Sequence, residues 1–292
     1  MNRKIPVALS RMAWLRRGRT RRGGRQFWLY LGLSSGALLF CWPFLWMIST
    51  SLESFEDAVT PGLGVWPASW HWENYLETWR SSPFPRYFLN TFIVAGTVSA
   101  AVALSATLAG YALVFLHFPG KKLAFMLAVG AMMVPFEAIF IPNFVLVTRL
   151  GWYNSLAALI IPWCANGFSI FLMRQAFLAV PFEYYEAARL DGCGSLRFLF
   201  RVALPLVRPT LSVTAVFAFL GSYNALLWPL IVTADGSRRV VQVGLTVFTT
   251  ESGVQLHLLM CAATIVMLSS VLLFLLAQRA VSDTMMATGV KG

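Results

Sequence analysis

The residues best suited to chemistry in this sequence fall in one stretch, PFEYYEAARLDGCGSLRFLFRVALP, from Pro181 to Pro205. Glu183, Glu186 and Asp191 are interspersed there with Arg189, Arg197 and Arg201, inside an otherwise apolar chain. Charges of both signs at that density suit a contact with another molecule rather than bond making. Nothing elsewhere adds up to a reaction centre. His71, His117 and His257 are far apart and lack metal-ligand spacing, so no metal site is expected. Cys41, Cys164, Cys193 and Cys261 are scattered, three of them in apolar runs, which fits neither a disulfide framework nor zinc. No G-x-x-x-x-G-K-[ST] phosphate cradle occurs, and Gly192-Cys193-Gly194 is only a glycine pair at a turn. No nucleophile is spaced with a base, so no catalytic residue is expected in this chain. Glu137 is the single acid inside an apolar run and would be the natural coupling group of an ion-driven carrier or channel.

The charged stretch itself predicts two short helices with a turn between them. Pro181 suits a first helical turn, and Glu183 and Glu186 favour that end through the helix dipole. Ala187, Ala188 and Leu190 propagate helix, and Gly192 can take the left-handed conformation that ends it. Ser195 can cap a second helix through Leu196 to Val202, with Pro205 and Pro209 separating it from the next apolar run. Phe182, Tyr185, Leu190, Leu196 and Leu199 give this knuckle an apolar side. Such a side can dock a partner or lie on the inner membrane leaflet.

The elements that hold the knuckle must cross a bilayer. Of 292 residues, 58% are hydrophobic and 12% charged, about half the charged fraction of an ordinary soluble domain. Six apolar runs reach spanning length: about 27–48, 91–116, 123–147, 156–178, 210–232 and 258–277. Nine basic residues and no acid precede the first run, a membrane anchor too long and too basic for a signal peptide. With that end inside, the inner segments carry 18 Lys and Arg against 5 outside, which places both termini and the knuckle in the cytoplasm. The net charge of +11 is therefore a topology signal rather than a nucleic-acid one. The expectation is an all-α polytopic membrane protein of six transmembrane helices. It divides into a basic arm 1–26, a spanning domain 27–280 containing the 180–205 loop, and a cytoplasmic tail 281–292.

Two further patterns bear on what these spans do. From Ala95 to Gly110, twelve of sixteen residues are Gly, Ala, Ser or Thr, which suits a central helix approached closely by its neighbours. Pro43, Pro135, Pro142, Pro162 and Pro229 punctuate the other spans and predict kinks. The outer loop 50–86, rich in Pro and Trp, suits either the outer leaflet or a docking surface.

The knuckle resembles a known family. Glu186-Ala187-Ala188, three residues, Gly192, nine residues, then Val202-Ala203-Leu204-Pro205 fits EAA-x3-G-x9-I-x-LP, with Val202 in place of isoleucine. That is the loop of bacterial ABC importer permeases, and EAARLDG is similar to its form in the carbohydrate-uptake class of maltose type. His117-Phe118-Pro119-Gly120-Lys121 and Leu150-Gly151-Trp152-Tyr153-Asn154-Ser155 resemble two turns of that family. The tail Gly289-Val290-Lys291-Gly292 resembles its terminus. Tyr223 to Leu230 resembles its WNEFLWPL segment, with Tyr223 for the usual Trp and Ala225 for a frequent polar residue. The resemblance implies half of a sugar pathway in a bacterial or archaeal inner membrane. Its implied partners are a second permease, two ATPase subunits that bind ATP and Mg, and an extracytoplasmic solute-binding protein. The chain itself would then hold no cofactor. The resemblance further implies ATPase coupling through Glu186, Ala187, Ala188, Asp191, Gly192, Leu204 and Pro205, and an ATPase contact by Lys291. Tyr223, Asn224, Trp228, Glu137, Asn143 and Asn166 are the candidate pathway groups, each equally able to serve as a helix contact.

Overall fold

The described residues fold mostly as helix, as the apolar runs predict. The computed structural model describes residues 8–60, 66–67, 69–250 and 253–289. The first part runs α1 (Ala8–Ser51), α2 (Phe55–Val59), α3 (Glu73–Ser81), α4 (Phe84–Phe115), α5 (Lys121–Ala131) and α6 (Phe136–Arg149). Then come α7 (Leu156–Ile160) with a 3-10 turn Ile161–Trp163, α8 (Gly167–Leu178), α9 (Glu183–Leu190) and α10 (Ser195–Phe198). A π-turn over Leu199–Ala203 leads to α11 (Leu204–Leu206), α12 (Arg208–Tyr223), α13 (Leu227–Val232) and α14 (Val241–Gly244). A 3-10 turn Leu245–Phe248 and a two-residue antiparallel ladder, β1 (Thr249–Thr250) with β2 (Gly253–Val254), precede α15 (Leu256–Gly289). The arm from Ala8 onward is continuous with α1, and the tail to Gly289 is continuous with α15. Lys291 lies outside the described residues.

Three described helices are long and apolar enough to cross a membrane unbroken: Gln26–Ser51, Phe84–Phe115 and Leu256–Leu275. They coincide with the first, second and last expected spans. The other three expected spans are broken. The third turns through 100° between α5 and α6, at Pro135, and the fourth bends by 43° between Trp163 and Gly167. The fifth divides into α12 and α13 around Asn224–Leu226. Periodicity and hydropathy carry straight through these points, so a reading by pattern joins what the backbone separates.

The small-residue helix α4 is the hub. It packs against α8 and α12, and its residues enter all three apolar cores. Val94, Val98 and Val102 belong to one, Ala106, Tyr111 and Phe115 to the second, and Phe84, Tyr87 and Ala95 to the third. Close approach lets side chains bond neighbouring backbones. Ser99 Oγ donates to Ala215 O at 2.7 Å, and Ser105 Oγ donates to Cys164 O at 2.9 Å. At Gly110 a Cβ would sit 2.9 Å from the backbone nitrogen of Arg174 in α8, so only glycine fits that crossing.

The long loop after α1 folds back on the helix ends beside it. Asn74 Nδ2 donates to Ser51 O (3.1 Å) and Glu53 O (2.9 Å), satisfying carbonyls at the end of α1. Thr78 Oγ1 donates to Leu258 O at 3.4 Å, tying α3 to α15. Trp70 and Trp72 stack with ring centroids 5.9 Å apart and remain exposed.

Gly110→Ala should therefore lower the thermal midpoint of the detergent-solubilised protein, by about 1–3 kcal/mol of overpacking. Gly96→Ala, on the same helix with nothing within 4 Å, should leave the midpoint unchanged or raise it.

Candidate functional site

Two features stand out: a cavity where the broken helices meet, and the knuckle at the basic end. The cavity has a volume of about 1030 Å³. All three breaks line it: Met132, Val134 and Phe136 from the first, Trp163, Ala165 and Asn166 from the second, Asn224, Ala225 and Leu226 from the third. The unbroken helix α4 supplies Val94, Val98 and Val102 as the facing wall. A broken helix inside a membrane exposes backbone groups that need partners, and a polar cavity is one of the few places that tolerates them.

Polar side chains at the breaks meet that need. Asn166 Oδ1 accepts from Ser169 N at 2.8 Å and so caps α8. Ser105 takes the freed carbonyl of Cys164, and Asn224 Nδ2 donates to Leu220 O at 3.0 Å at the end of α12. Asn143, Ser169 and Ser222 also line the cavity, and no hydrogen bond from their side chains reaches a described residue. Aromatic surface is supplied by Phe136, Trp163 and Phe168, with the Trp163 ring 5.7 Å from that of Phe136. No Asp, Glu, Lys, Arg or His is among the described lining residues. The cavity therefore offers apolar faces with a few neutral donors and acceptors.

The candidate pathway residues separate on this geometry. Asn143, Asn166, Asn224 and Trp228 line the cavity. Trp228 is nearly buried, however, and donates through Nε1 to Ala158 O at 2.9 Å, so its polar atom is already engaged. Tyr223 does not line it. Its ring is fully buried between α12 and α15, with its hydroxyl bonded to Ser269 and to Val266 O. Tyr223 is the last residue of α12 and Asn224 its cap, and the two side chains point in different directions. Glu137 is exposed in the first turn of α6, beside the 100° break rather than inside a continuous span, and does not line the cavity. Ser169, Ser222 and Trp163 were not among the groups expected from the sequence. Their only signal was proximity to Asn166, Asn224 and Pro162, which mark the breaks.

The knuckle is built as expected at its turn and differently at its edges. Gly192 has φ of +75°, and Cys193 N donates to Ala188 O (2.8 Å) while Gly192 N donates to Arg189 O (3.1 Å). That pair of bonds is the Schellman termination for which glycine is the favoured residue. Pro181 stands ahead of α9 rather than in it. Gly194, not Ser195, holds the cap position of α10 and makes no side-chain cap. The second helix also runs through Pro205 to Leu206. The π-turn lets Leu204 N bond back to Leu199 O, shifting the register just before a residue that has no N–H to give. The chain then turns 85° into α12.

The knuckle's apolar side turns out to be two sides. Tyr185, Ala188, Phe198, Leu199 and Ala203 face inward onto Phe115 and Phe177. Phe115 is wholly buried, with ring centroids of Tyr185 and Phe198 each 5.4 Å away. Tyr111 Oη donates to Ser195 O at 2.9 Å. Leu190 (89% exposed) and Leu196 (65%) point the other way. Glu186, Ala187, Asp191 and Gly192 are exposed with them, while Ala188, Leu204 and Pro205 are partly covered. Among the described residues Glu186 forms no ion pair. The result is a rigid prominence, bolted from beneath, with apolar and acidic groups on its free face.

The family described as "Binding-protein-dependent transport system inner membrane component" matches residues 101–286, a stretch holding the knuckle and all three helix breaks. The sn-glycerol-3-phosphate transport system permease protein UgpE of Yersinia pestis bv. Antiqua is 30% identical over 267 residues, covering 88% of this chain and 95% of that protein. The diacetylchitobiose uptake system permease protein NgcG of Streptomyces coelicolor is 30% identical over 225 residues, 74% of each chain. Among solved structures, a chain of a bacterial ABC transporter involved in the import of the acidic polysaccharide alginate superposes with a TM-score of 0.77. It covers 88% of this chain and 97% of that one at 20% identity, which establishes a shared fold.

The placement of Tyr223 has a direct check. Tyr223→Phe removes only the buried hydroxyl and should cost about 0.5–1.5 kcal/mol of stability, read as a lower thermal midpoint. An unchanged midpoint would show that the hydroxyl's bonds add nothing to the fold.

Proposed function

Because this chain belongs to the family of binding-protein-dependent transport system inner membrane components, we propose that it forms half of a pathway for a neutral sugar or oligosaccharide. As a member of that family it is a multi-pass membrane permease and the translocation subunit of a binding-protein-dependent importer. The finer reading has six spans, with both termini and the knuckle on the cytoplasmic side of a bacterial or archaeal inner membrane. A second permease completes the pathway, and two separate ATPase subunits carry ATP and Mg. The chain itself binds neither.

The observation that carries the choice of solute is the cavity lining. Three helix breaks surround it with aromatic faces and neutral amides and hydroxyls, the groups that suit a sugar. An anionic solute would leave its charge without a cation on this half of the pathway, and an unpaired charge out of water costs several kcal/mol. The relatives named for glycerol phosphate and alginate handle anions. This lining suits a solute closer in chemistry to the one named for the diacetylchitobiose relative. Ion coupling through Glu137 finds less support, because Glu137 stands outside the cavity.

The knuckle supports ATP coupling. Its inner side packs aromatic rings against Phe115 and Tyr111 of α4, so it moves as one body with that helix. Its free face offers Glu186, Ala187 and the Gly192 turn to an ATPase groove, with Asp191 beside them. Ala188, Leu204 and Pro205 keep that face in shape from behind. ATP-driven closure of the ATPase pair would then shift the permease between inward- and outward-facing states. The tail at Lys291 is a second point of contact in this reading.

Two outcomes are expected of the reconstituted transporter. Glu186→Lys and Gly192→Pro should each abolish uptake and weaken ATPase co-purification, since losing a paired charge at an interface costs about 2–5 kcal/mol. Normal co-purification and uptake by either variant would remove the coupling assignment. Uptake of a labelled neutral oligosaccharide should require ATP and binding protein, and Asn143→Ala should slow it roughly 2- to 10-fold, the loss of one hydrogen bond. Uptake driven by a proton or sodium gradient instead would restore the ion-coupled reading.

A further inference from the structure

One helix joins the knuckle, the cavity wall and the outer loop, and among the described helices it is the only unbroken span that touches the cavity. At its inner end α4 meets the knuckle through Phe115 and the bond from Tyr111 to Ser195 O. In its middle Val94, Val98 and Val102 form the cavity wall. At its outer end it grips the loop that follows α13. Asn90 Nδ2 donates to Ser237 O and to Arg239 O, both at 2.9 Å. Arg86 Nε donates to Ser237 O at 3.2 Å, and Thr91 Oγ1 accepts from Val241 N at 2.9 Å. Gly244 lies so close to the Tyr87 ring that a Cβ there would be 2.6 Å from Cδ2. Val240, in the same loop, lines the cavity.

We propose that α4 is a strut that carries movement of the knuckle to the outer loop over the cavity, with Tyr111 and Tyr87 as the positioning residues at its two joints. This rests on the knuckle being the ATPase docking point. From Tyr87 to Tyr111 the strut measures about 36 Å at 1.5 Å per residue. The neighbouring spans are bent by 100° and 43° beside the cavity and would flex at those points. Both joints are close-fitting, so a displacement at one end reaches the other instead of being absorbed in slack packing. The inner joint is ringed by aromatic side chains, and the outer one has no clearance for a methyl group.

The test uses the complete transporter, with binding protein and ATPases, in lipid vesicles, and reads solute moved per ATP hydrolysed. Gly244→Ala crowds the outer joint far from the knuckle. ATPase attachment and basal hydrolysis should stay at the unsubstituted level, while solute moved per ATP falls about tenfold. Tyr111→Phe keeps the ring packing, removes only the bond to Ser195 O, and should shift the ratio in the same direction by a smaller factor. Gly236→Ala lies in the same loop with its nearest contact at an ordinary 3.4 Å from Tyr87 Oη, and should change nothing. A purely structural defect would lower assembly, hydrolysis and transport together and leave the ratio unchanged. An unchanged ratio in both test variants, or an equal fall in Gly236→Ala, would overturn the strut alone. Failure of the unsubstituted permease to hold its ATPases would overturn the docking reading and the strut with it.

Discussion

The whole arrangement depends on how closely other backbones can approach α4. In lipid no hydrophobic force drives helices together, so association rests on packing and on hydrogen bonds between helices. The run of Gly, Ala, Ser and Thr from Ala95 to Gly110 meets both needs. It lets α8 come within contact of Gly110, and it lets Ser99 and Ser105 reach carbonyls of other helices. A leucine-rich helix in that place would hold its neighbours apart.

A fixed centre makes it tolerable for the surrounding helices to break. Each break frees carbonyls and amides that hydrocarbon cannot satisfy. Here Asn166, Ser105 and Asn224 take up some of them, and the break residues line the cavity. Asn166 and Asn224, which repair the backbone, also give the cavity polar lining. The cavity therefore sits among the breaks. The loop past α13 is held by equally local means. Asn154, with φ of 57°, accepts from Ala234 N and Asp235 N. The Asp235 carboxyl is kept below its ordinary pKa by hydrogen bonds from Ser237, with Arg86 and Arg238 adding to the effect.

What the residues disclosed, and what they withheld, divides along one physical line. Local chemistry was legible: Gly192 ends its helix in the left-handed conformation, and the small-residue run is the hub. Proline positions marked where continuity was at risk, but not by how much. Pro43 leaves α1 intact, Pro135 accompanies a turn of 100°, and Pro205 is absorbed by a π-turn. A proline's presence in the sequence therefore does not fix the size of the bend. Facing was the least legible property. Tyr223 and Asn224 are adjacent in sequence yet one is core and the other cavity, because a helix ends between them. Ala187 and Ala188 divide in the same way, one toward solvent and one toward Phe115 and Phe198, because α9 has a bolted side and a free side.

The position of α1 sets how a disturbance there can spread. It packs chiefly on α15, and none of its described residues lines the cavity or joins the core beneath the knuckle. A substitution on α1 therefore meets the cavity at second hand, through the helix it leans on.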